Sequence, residues 1–124
     1  MFTNKFEMQG RVSYIDIQFK DKNDKLTVYT TINLGVKKSD NVGNEEKNWD
    51  NFFITFFNTV KTQTAEKLRE QIKEGDYIRV VGKLKENRYV PNGTDKEKSE
   101  IQLIGYGFKK QRYDEWEQKW VDCP

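Results

Sequence analysis

The chain has 124 residues, the size of one domain, and 34% of them are charged against 35% hydrophobic, so apolar side chains must be confined to one face of each element. Twenty-two Lys and Arg against 20 Asp and Glu leave a formal net charge of +2, so bulk charge does not point to a polyanionic partner and only a clustered basic surface can. With no His and one Cys, Cys123, a thiolate-and-imidazole metal site and an internal disulfide are excluded. No apolar run resembles a signal peptide or a membrane span, so the expectation is a cytoplasmic protein with no membrane partner and no cofactor. Eight Phe, six Tyr and three Trp exceed what a core of this size needs, which leaves some rings to face a ligand.

Residues 6–19 alternate, but with a change of parity: Phe6, Met8 and Val12 are even, whereas Ile15, Ile17 and Phe19 are odd. A strand of period two changes its buried face only through a bulge or bend, which Gly10 or the region of Ser13 and Tyr14 can supply, so the first strand is expected to be long and bent. Asp21-Lys22-Asn23-Asp24 marks a turn. Leu26, Val28, Thr30, Ile32, Leu34 and Val36 then alternate with Thr27, Tyr29, Thr31 and Asn33, the pattern of a half-buried antiparallel strand. Residues 37–48 are polar, contain Gly43 and read as a flexible hairpin loop, and WDNFFITFF over 49–57 is the third strand.

Residues 62–74 place Ala65, Leu68 and Ile72 at helical spacing, with Thr62 or Thr64 as N-cap and Gly75 as the stop. A fourth strand over 77–89 turns Ile78, Val80, Gly82 and Leu84 inward. The turn sequence Pro91-Asn92-Gly93-Thr94-Asp95 leads to a fifth strand over 100–108. Three strands, a helix and two strands, in that order, predict an all-β, five-stranded OB-fold barrel with one helix between strands three and four. Strands two and three, with their flanking loops, are then the usual oligonucleotide face. In 111–120, Tyr113, Trp116 and Trp120 fall at i, i+3 and i+7, one face of a short C-terminal helix. Residues 1–110 therefore read as the single-strand-binding domain and 111–124 as a C-terminal aromatic segment. That segment packs on its own barrel or a neighbouring subunit, docks a partner protein, or extends a DNA path.

The third strand is aromatic on both faces: Phe52, Ile54 and Phe56 on one, Trp49, Phe53 and Phe57 on the other with Asn51 and Thr55. A closed barrel needs only one face for its core. Either the helix or a second subunit covers the other, or its rings stack on unpaired bases. Along 77–89 the outward positions are Tyr77, Arg79, Val81, Lys83 and Lys85, followed by Arg88 and Tyr89. Basic residues interleaved with aromatics suit a groove that neutralises phosphates, although Lys and Arg on a strand also serve solubility and edge protection. Arg11, Lys5, Lys37 and Lys38 carry the same two readings.

These residues bear a resemblance. Over roughly residues 4–110 the chain resembles the bacterial single-stranded DNA-binding protein (SSB) family, through Asn4-Lys5-Phe6, Gly10-Arg11-Val12, Thr31-Ile32-Asn33-Leu34, Trp49, Ala65-Glu66-Lys67-Leu68, Lys73-Glu74-Gly75-Asp76, Val80-Val81-Gly82-Lys83-Leu84 and Ile101-Gln102-Leu103. No one piece is specific; their order and spacing together are. The resemblance implies that Trp49 stacks on bases, that Phe56 or Phe57 takes the role of the family's strand-three Phe, with Phe57 favoured because it shares Trp49's parity, and that Tyr89 is the aromatic of the strand-four hairpin. The stacking residue that some members carry after strand two is absent, since Asp40 and its neighbours are polar. Family members end in a disordered linker and an acidic tip that recruits replication and repair enzymes. Here the chain stops at Val121-Asp122-Cys123-Pro124, as in a short plasmid-, phage- or mobile-element type without the recruiting tail. A homo-oligomer, tetramer or dimer, is implied, with replication proteins as further partners.

The chemistry of an enzyme is missing. There is no His, the Cys is terminal, no phosphate-cradling glycine motif occurs, and acidic residues such as Asp21, Asp24, Glu45, Glu46, Glu66 and Glu70 are scattered through turns and the helix. The expectation is therefore a non-enzymatic protein that coats single-stranded DNA in replication, recombination or repair, through Trp49, Phe53, Phe57 and Tyr89 as stacking rings and Arg11, Lys37, Lys38, Arg79, Lys83 and Arg88 as phosphate contacts. Two alternatives stand beside it: an OB interaction module of the PriB type, in a replication-restart or plasmid replication complex with weak DNA binding, and a metal-dependent nuclease.

Overall fold

The computed structural model describes residues 3–22, 25–38, 48–59 and 61–124. In chain order the elements are β1 (Phe6–Lys22), β2 (Lys25–Lys37), β3 (Trp49–Phe57), α1 (Thr64–Gln71), β4 (Tyr77–Tyr89), β5 (Lys98–Asp114) and β6 (Lys119–Asp122). The expected turn at Asn23-Asp24 and most of the polar loop, 39–47, lie outside the described residues. Strand order is β3-β2-β1-β4-β5-β6, and β3 also pairs in parallel with β5 through Ile54↔Leu103, Thr55↔Ile104 and Phe56↔Gly105. That seam closes β1 to β5 into a barrel with one helix between β3 and β4, the OB-fold arrangement.

Alternation decides the inside. Ile32 and Leu34 of β2, Ile54 and Phe56 of β3, and Ile78 and Val80 of β4 are fully buried, together with Val12, Ala65, Leu68 and nearly all of Ile72. Helix α1 plugs one end, and the buried Thr30 hydroxyl donates to the Ala65 carbonyl at 3.0 Å, so its polar atom is satisfied within the core. The helix is shorter than its spacing predicts, and neither Thr62 nor Thr64 caps it. The Asn58 Oδ1, just past β3, accepts from the Ala65 and Glu66 N–H groups at 3.0 and 3.3 Å. A cap from the preceding strand leaves no local signature of the usual spacing.

The parity change in β1 is a bulge. Val12 opposes Leu34 and Tyr14 opposes Asn33, which leaves Ser13 as the extra residue. The Val12 N–H donates to the Asp76 carbonyl at 2.9 Å and its carbonyl accepts from Gly75 at 2.7 Å, tying the bulge to the α1–β4 connection.

Two expectations are corrected. Leu84 is 42% exposed, because it lies two residues beyond Gly82, where the β1–β4 pairing ends at Phe6. The C-terminal segment is a hairpin, not a helix: β5 runs on to Asp114 and β6 returns beside it, pairing Tyr113 with Trp120. The Asp114 carboxylate accepts from the Trp116 and Glu117 N–H groups at 3.0 and 3.4 Å, and Gln118 takes a positive φ of 53° to complete the turn. Residues seven apart share a helix face, but they also meet across a short hairpin, and here Trp120 stacks on Tyr77 with ring centroids 3.9 Å apart. No helix among the described residues is long and apolar enough to cross a membrane.

Closure depends on glycine. A Cβ at Gly105 would run into the Phe56 ring, whereas one at Gly107 would meet Val81 Cγ2 at 3.4 Å, an ordinary contact. Gly105→Ala is expected to destabilise the barrel by about 1–3 kcal/mol through overpacking. Gly107→Ala should change the urea midpoint far less; equal effects would mean that the seam is not tightly packed.

Candidate nucleic-acid interface

The face of the barrel turned away from the core is a lattice set by register. Across it run Lys37–Trp49, then Arg11–Gly35–Asn51, Tyr14–Asn33–Phe53, Asp16–Thr31–Thr55–Ile104–Lys83, and Gln18–Tyr29–Phe57. The rings on this face are open to solvent: Phe53 is 63% exposed, Tyr14 48% and Phe57 37%, while Trp49 and Tyr29 are half-buried. Phe56, by contrast, is wholly in the core, with its ring edge-on to Phe108 at 6.1 Å.

Between the rings lie small polar residues whose hydrogen bonds are made to one another. The Ser13 hydroxyl donates to Asn33 Oδ1 at 2.7 Å, the Thr31 and Thr55 hydroxyls are 3.2 Å apart, and Tyr29 donates to Gln18, which donates to Asp16 at 2.7 Å. Side chains held this way form a level floor from which the aromatic rings project. A cavity of about 500 Å³ opens at the Trp49 end, lined by Arg11, Ser13, Gly35, Trp49, Asn51 and Glu74. Gly35 matters here, since a Cβ at that position would meet the Trp49 ring at 3.3 Å.

The cations divide by what they already hold. Among the described residues Arg11, Lys37 and Lys83 have no acidic side chain within ion-pair distance, while Lys38 lies 3.5 Å from Asp50. Arg88 donates to Glu86 at 2.8 Å, and with Tyr89, 40% exposed, it lies at the far end of the β4–β5 ribbon, opposite Ser99 and Lys98. Arg79 is committed elsewhere: its Nη2 and Nε donate to the two Asp122 oxygens at 2.7 and 3.1 Å, and its Nη1 donates to Glu7 at 3.3 Å. Trp49, Phe53, Phe57, Arg11, Lys37 and Lys83 are thus brought onto one face or its rim, whereas Arg79, Arg88 and Tyr89 are not.

Three more rings lie outside the stacking set expected from the sequence. Tyr14 reaches the face only because the Ser13 bulge re-aims it, Tyr29 sits on the polar side of the β2 alternation, and Tyr106, 54% exposed, stands between two glycines on β5. The alternation did mark Tyr29 as outward, and the Gly-Tyr-Gly sequence was a usable sign of a bulge. Among the described residues no three His, Cys, Asp or Glu side chains come together as a metal site.

No family model and no curated protein matches this sequence. Solved structures do. The Plasmodium falciparum SSB in complex with ssDNA superposes with a TM-score of 0.63 at 18% identity, over 89% of this chain and 96% of that one. The mitochondrial single-stranded DNA-binding protein Rim1 of S. cerevisiae superposes with a TM-score of 0.62 at 13% identity, over the same 89% and 96%. The barrel is the one these SSB proteins have.

The pair that removes Arg79 from the face also anchors β6. Asp122 is held at about 2 by the hydrogen bond from Arg79 and then by that from Gln111, and the Arg79 guanidinium is raised in return. A carboxyl lowered in the folded state contributes stability above its unfolded value of about 3.9, and that contribution is lost as pH falls through the folded value. Acidification from about pH 4 to pH 2 should therefore loosen β6 and separate Trp120 from Tyr77, read as a change in Trp emission in a Trp116→Phe background. Asp122→Asn should produce the same change at neutral pH and abolish its acid dependence; an unaltered acid transition in that variant would assign it to other carboxyls.

Proposed function

We propose that this chain binds and coats single-stranded DNA, with little sequence preference and without catalysis, in replication, recombination or repair. The observation that carries the reading is Phe53: a phenyl ring 63% exposed in the middle of β3, flanked by Trp49 and Phe57 on a face that the core does not use. Every base has a π-face, so rings of this kind accept any sequence, each stack being worth about 1–3 kcal/mol. Arg11 and Lys37 at one end and Lys83 at the other supply positive charge for the phosphates. The likeness of the barrel to proteins described as single-stranded DNA-binding supports the same ligand. We take the working form to be a homo-oligomer, its mass measurable by light scattering.

Trp116, 97% exposed at the hairpin tip, favours a second reading as an interaction module that binds DNA weakly unless a partner is present. One titration separates the two. The coating protein binds oligo(dT) tightly, oligo(rU) less well and duplex poorly, with Trp fluorescence quenched and magnesium causing no cleavage.

Phe53→Ala and Trp49→Ala are each expected to weaken oligo(dT) binding about fivefold or more, the equivalent of about 1 kcal/mol per lost stack. Phe53→Ala should leave the urea midpoint almost unchanged, because its ring is already exposed. Arg11→Ala and Lys37→Ala should each reduce the slope of log K against log salt by about 0.7. Unchanged oligo(dT) affinity in both aromatic variants would place the ligand elsewhere.

A further inference from the structure

We infer that the groove over the β3–β5 seam is a second nucleotide subsite, in which Tyr106 supplies a stacking ring and Lys83 a phosphate contact. The inference rests on the single-strand reading above and extends its path beyond Phe57.

Tyr106 is the extra residue of a bulge. On β4, Val81 pairs with Gly107 and the next residue, Gly82, pairs with Gly105, so Tyr106 has no partner in the ladder. Bulges of this kind re-aim a side chain. Of the flanking glycines, Gly105 is accounted for by its packing against the Phe56 ring, while Gly107 leaves room for a Cβ in ordinary contact with Val81. Nothing comparable accounts for the tyrosine, which is 54% exposed and pairs with no other ring among the described residues.

Its position relative to β3 supplies the function. The parallel register ends at Phe56↔Gly105, both turned inward, so Phe57 and Tyr106 follow on neighbouring strands, both turned outward. Paired strands lie about 4.8 Å apart, so these two exposed rings stand on adjacent strands at one end of the seam, side by side without pairing with each other. They share a groove of about 370 Å³ with Ile104, Lys83 and the hydroxyl-bearing Thr62 and Thr64. That volume lies in the ~300–1,000 Å³ range of small-ligand sites. Lys83 is exposed and opposite Ile104, which in turn pairs with Thr55 of β3, so its charge stands beside the ring face without an acidic partner among the described residues. The Thr62 and Thr64 hydroxyls are bonded to each other, so the groove offers rings and one unneutralised cation, a stacking surface and a phosphate contact for one nucleotide. The groove also adjoins Phe57, so a strand lying on Trp49 and Phe53 reaches it without leaving the surface.

The test is affinity for oligo(dT) long enough to saturate the protein, measured for Tyr106→Ala, Tyr106→Phe, Lys83→Ala and Phe53→Ala. The subsite predicts a loss of about fivefold or more for Tyr106→Ala, a change within about twofold for Tyr106→Phe, which keeps the ring, and a salt slope lower by about 0.7 for Lys83→Ala. If Phe53→Ala weakens binding and Tyr106→Ala does not, the subsite is wrong and the single-strand reading stands. If neither variant weakens it, both fall. A loss from Tyr106→Ala alone keeps the subsite and overturns the β3 platform. Should Tyr106→Ala fail to fold, Tyr106→Leu keeps the bulk without the π-face, and the same fivefold loss is required of it. A loss from Tyr106→Phe as large as from Tyr106→Ala assigns the residue to the bulge itself and overturns the inference.

Discussion

The structure depends on a short parallel seam, three residue pairs long, in which Phe56 of β3 fills the space that Gly105 of β5 leaves empty. A sheet that closes on itself has one inside, and a ring as large as Phe56 leaves no choice about which face of β3 occupies it. Once the even positions are buried, the odd positions are outside. Complete burial of a Phe side chain contributes about 1.5–3 kcal/mol, so an exposed Phe53 gives up most of what folding could gain from it. The fold does not require a ring there.

Two bulges then decide which other side chains join that face. The extra residue at Ser13 lets a single strand serve the core first through Val12 and later through Ile15, and it turns Tyr14 outward in the same step. The extra residue at Tyr106 does the equivalent on the opposite border of β3. In both places an irregularity in the ladder converts a strand that could only pack into one that also presents a ring. The aromatic face is consequently wider than β3 and extends to β1, β2 and β5.

Three of the six cations that the sequence nominates for this surface already hold a carboxylate among the described residues. The C-terminal hairpin draws Arg79 into a two-pronged contact with Asp122, Arg88 is held by Glu86, and Lys38 faces Asp50. An exposed pair adds little to stability, but it does neutralise a cation that would otherwise meet a phosphate. Arg11, Lys37 and Lys83 remain at the two ends of the aromatic strip. In the proposed binding mode the rings stack on bases and these cations meet the backbone at either end.

What the sequence determined by itself was periodic or local: the succession of the first five strands along the chain, the helix between β3 and β4, the two-faced character of WDNFFITFF, and the parity break near Ser13. These are readable because a strand repeats every two residues and a change of face requires a bulge. The choice of Phe57 over Phe56 as the outward ring also follows from parity alone. Tertiary structure decided everything that relates residues distant in the chain. It set the cap that Asn58 lends to α1 and the union of Phe57, Tyr106 and Lys83 in one groove. It also removed Arg79 from the face and folded Tyr113 and Trp120 into a hairpin, although their spacing is that of a helix. A spacing of seven fits both a helix face and two strands joined by a short turn, and only the stack of Trp120 on Tyr77, a residue of another strand, distinguishes them.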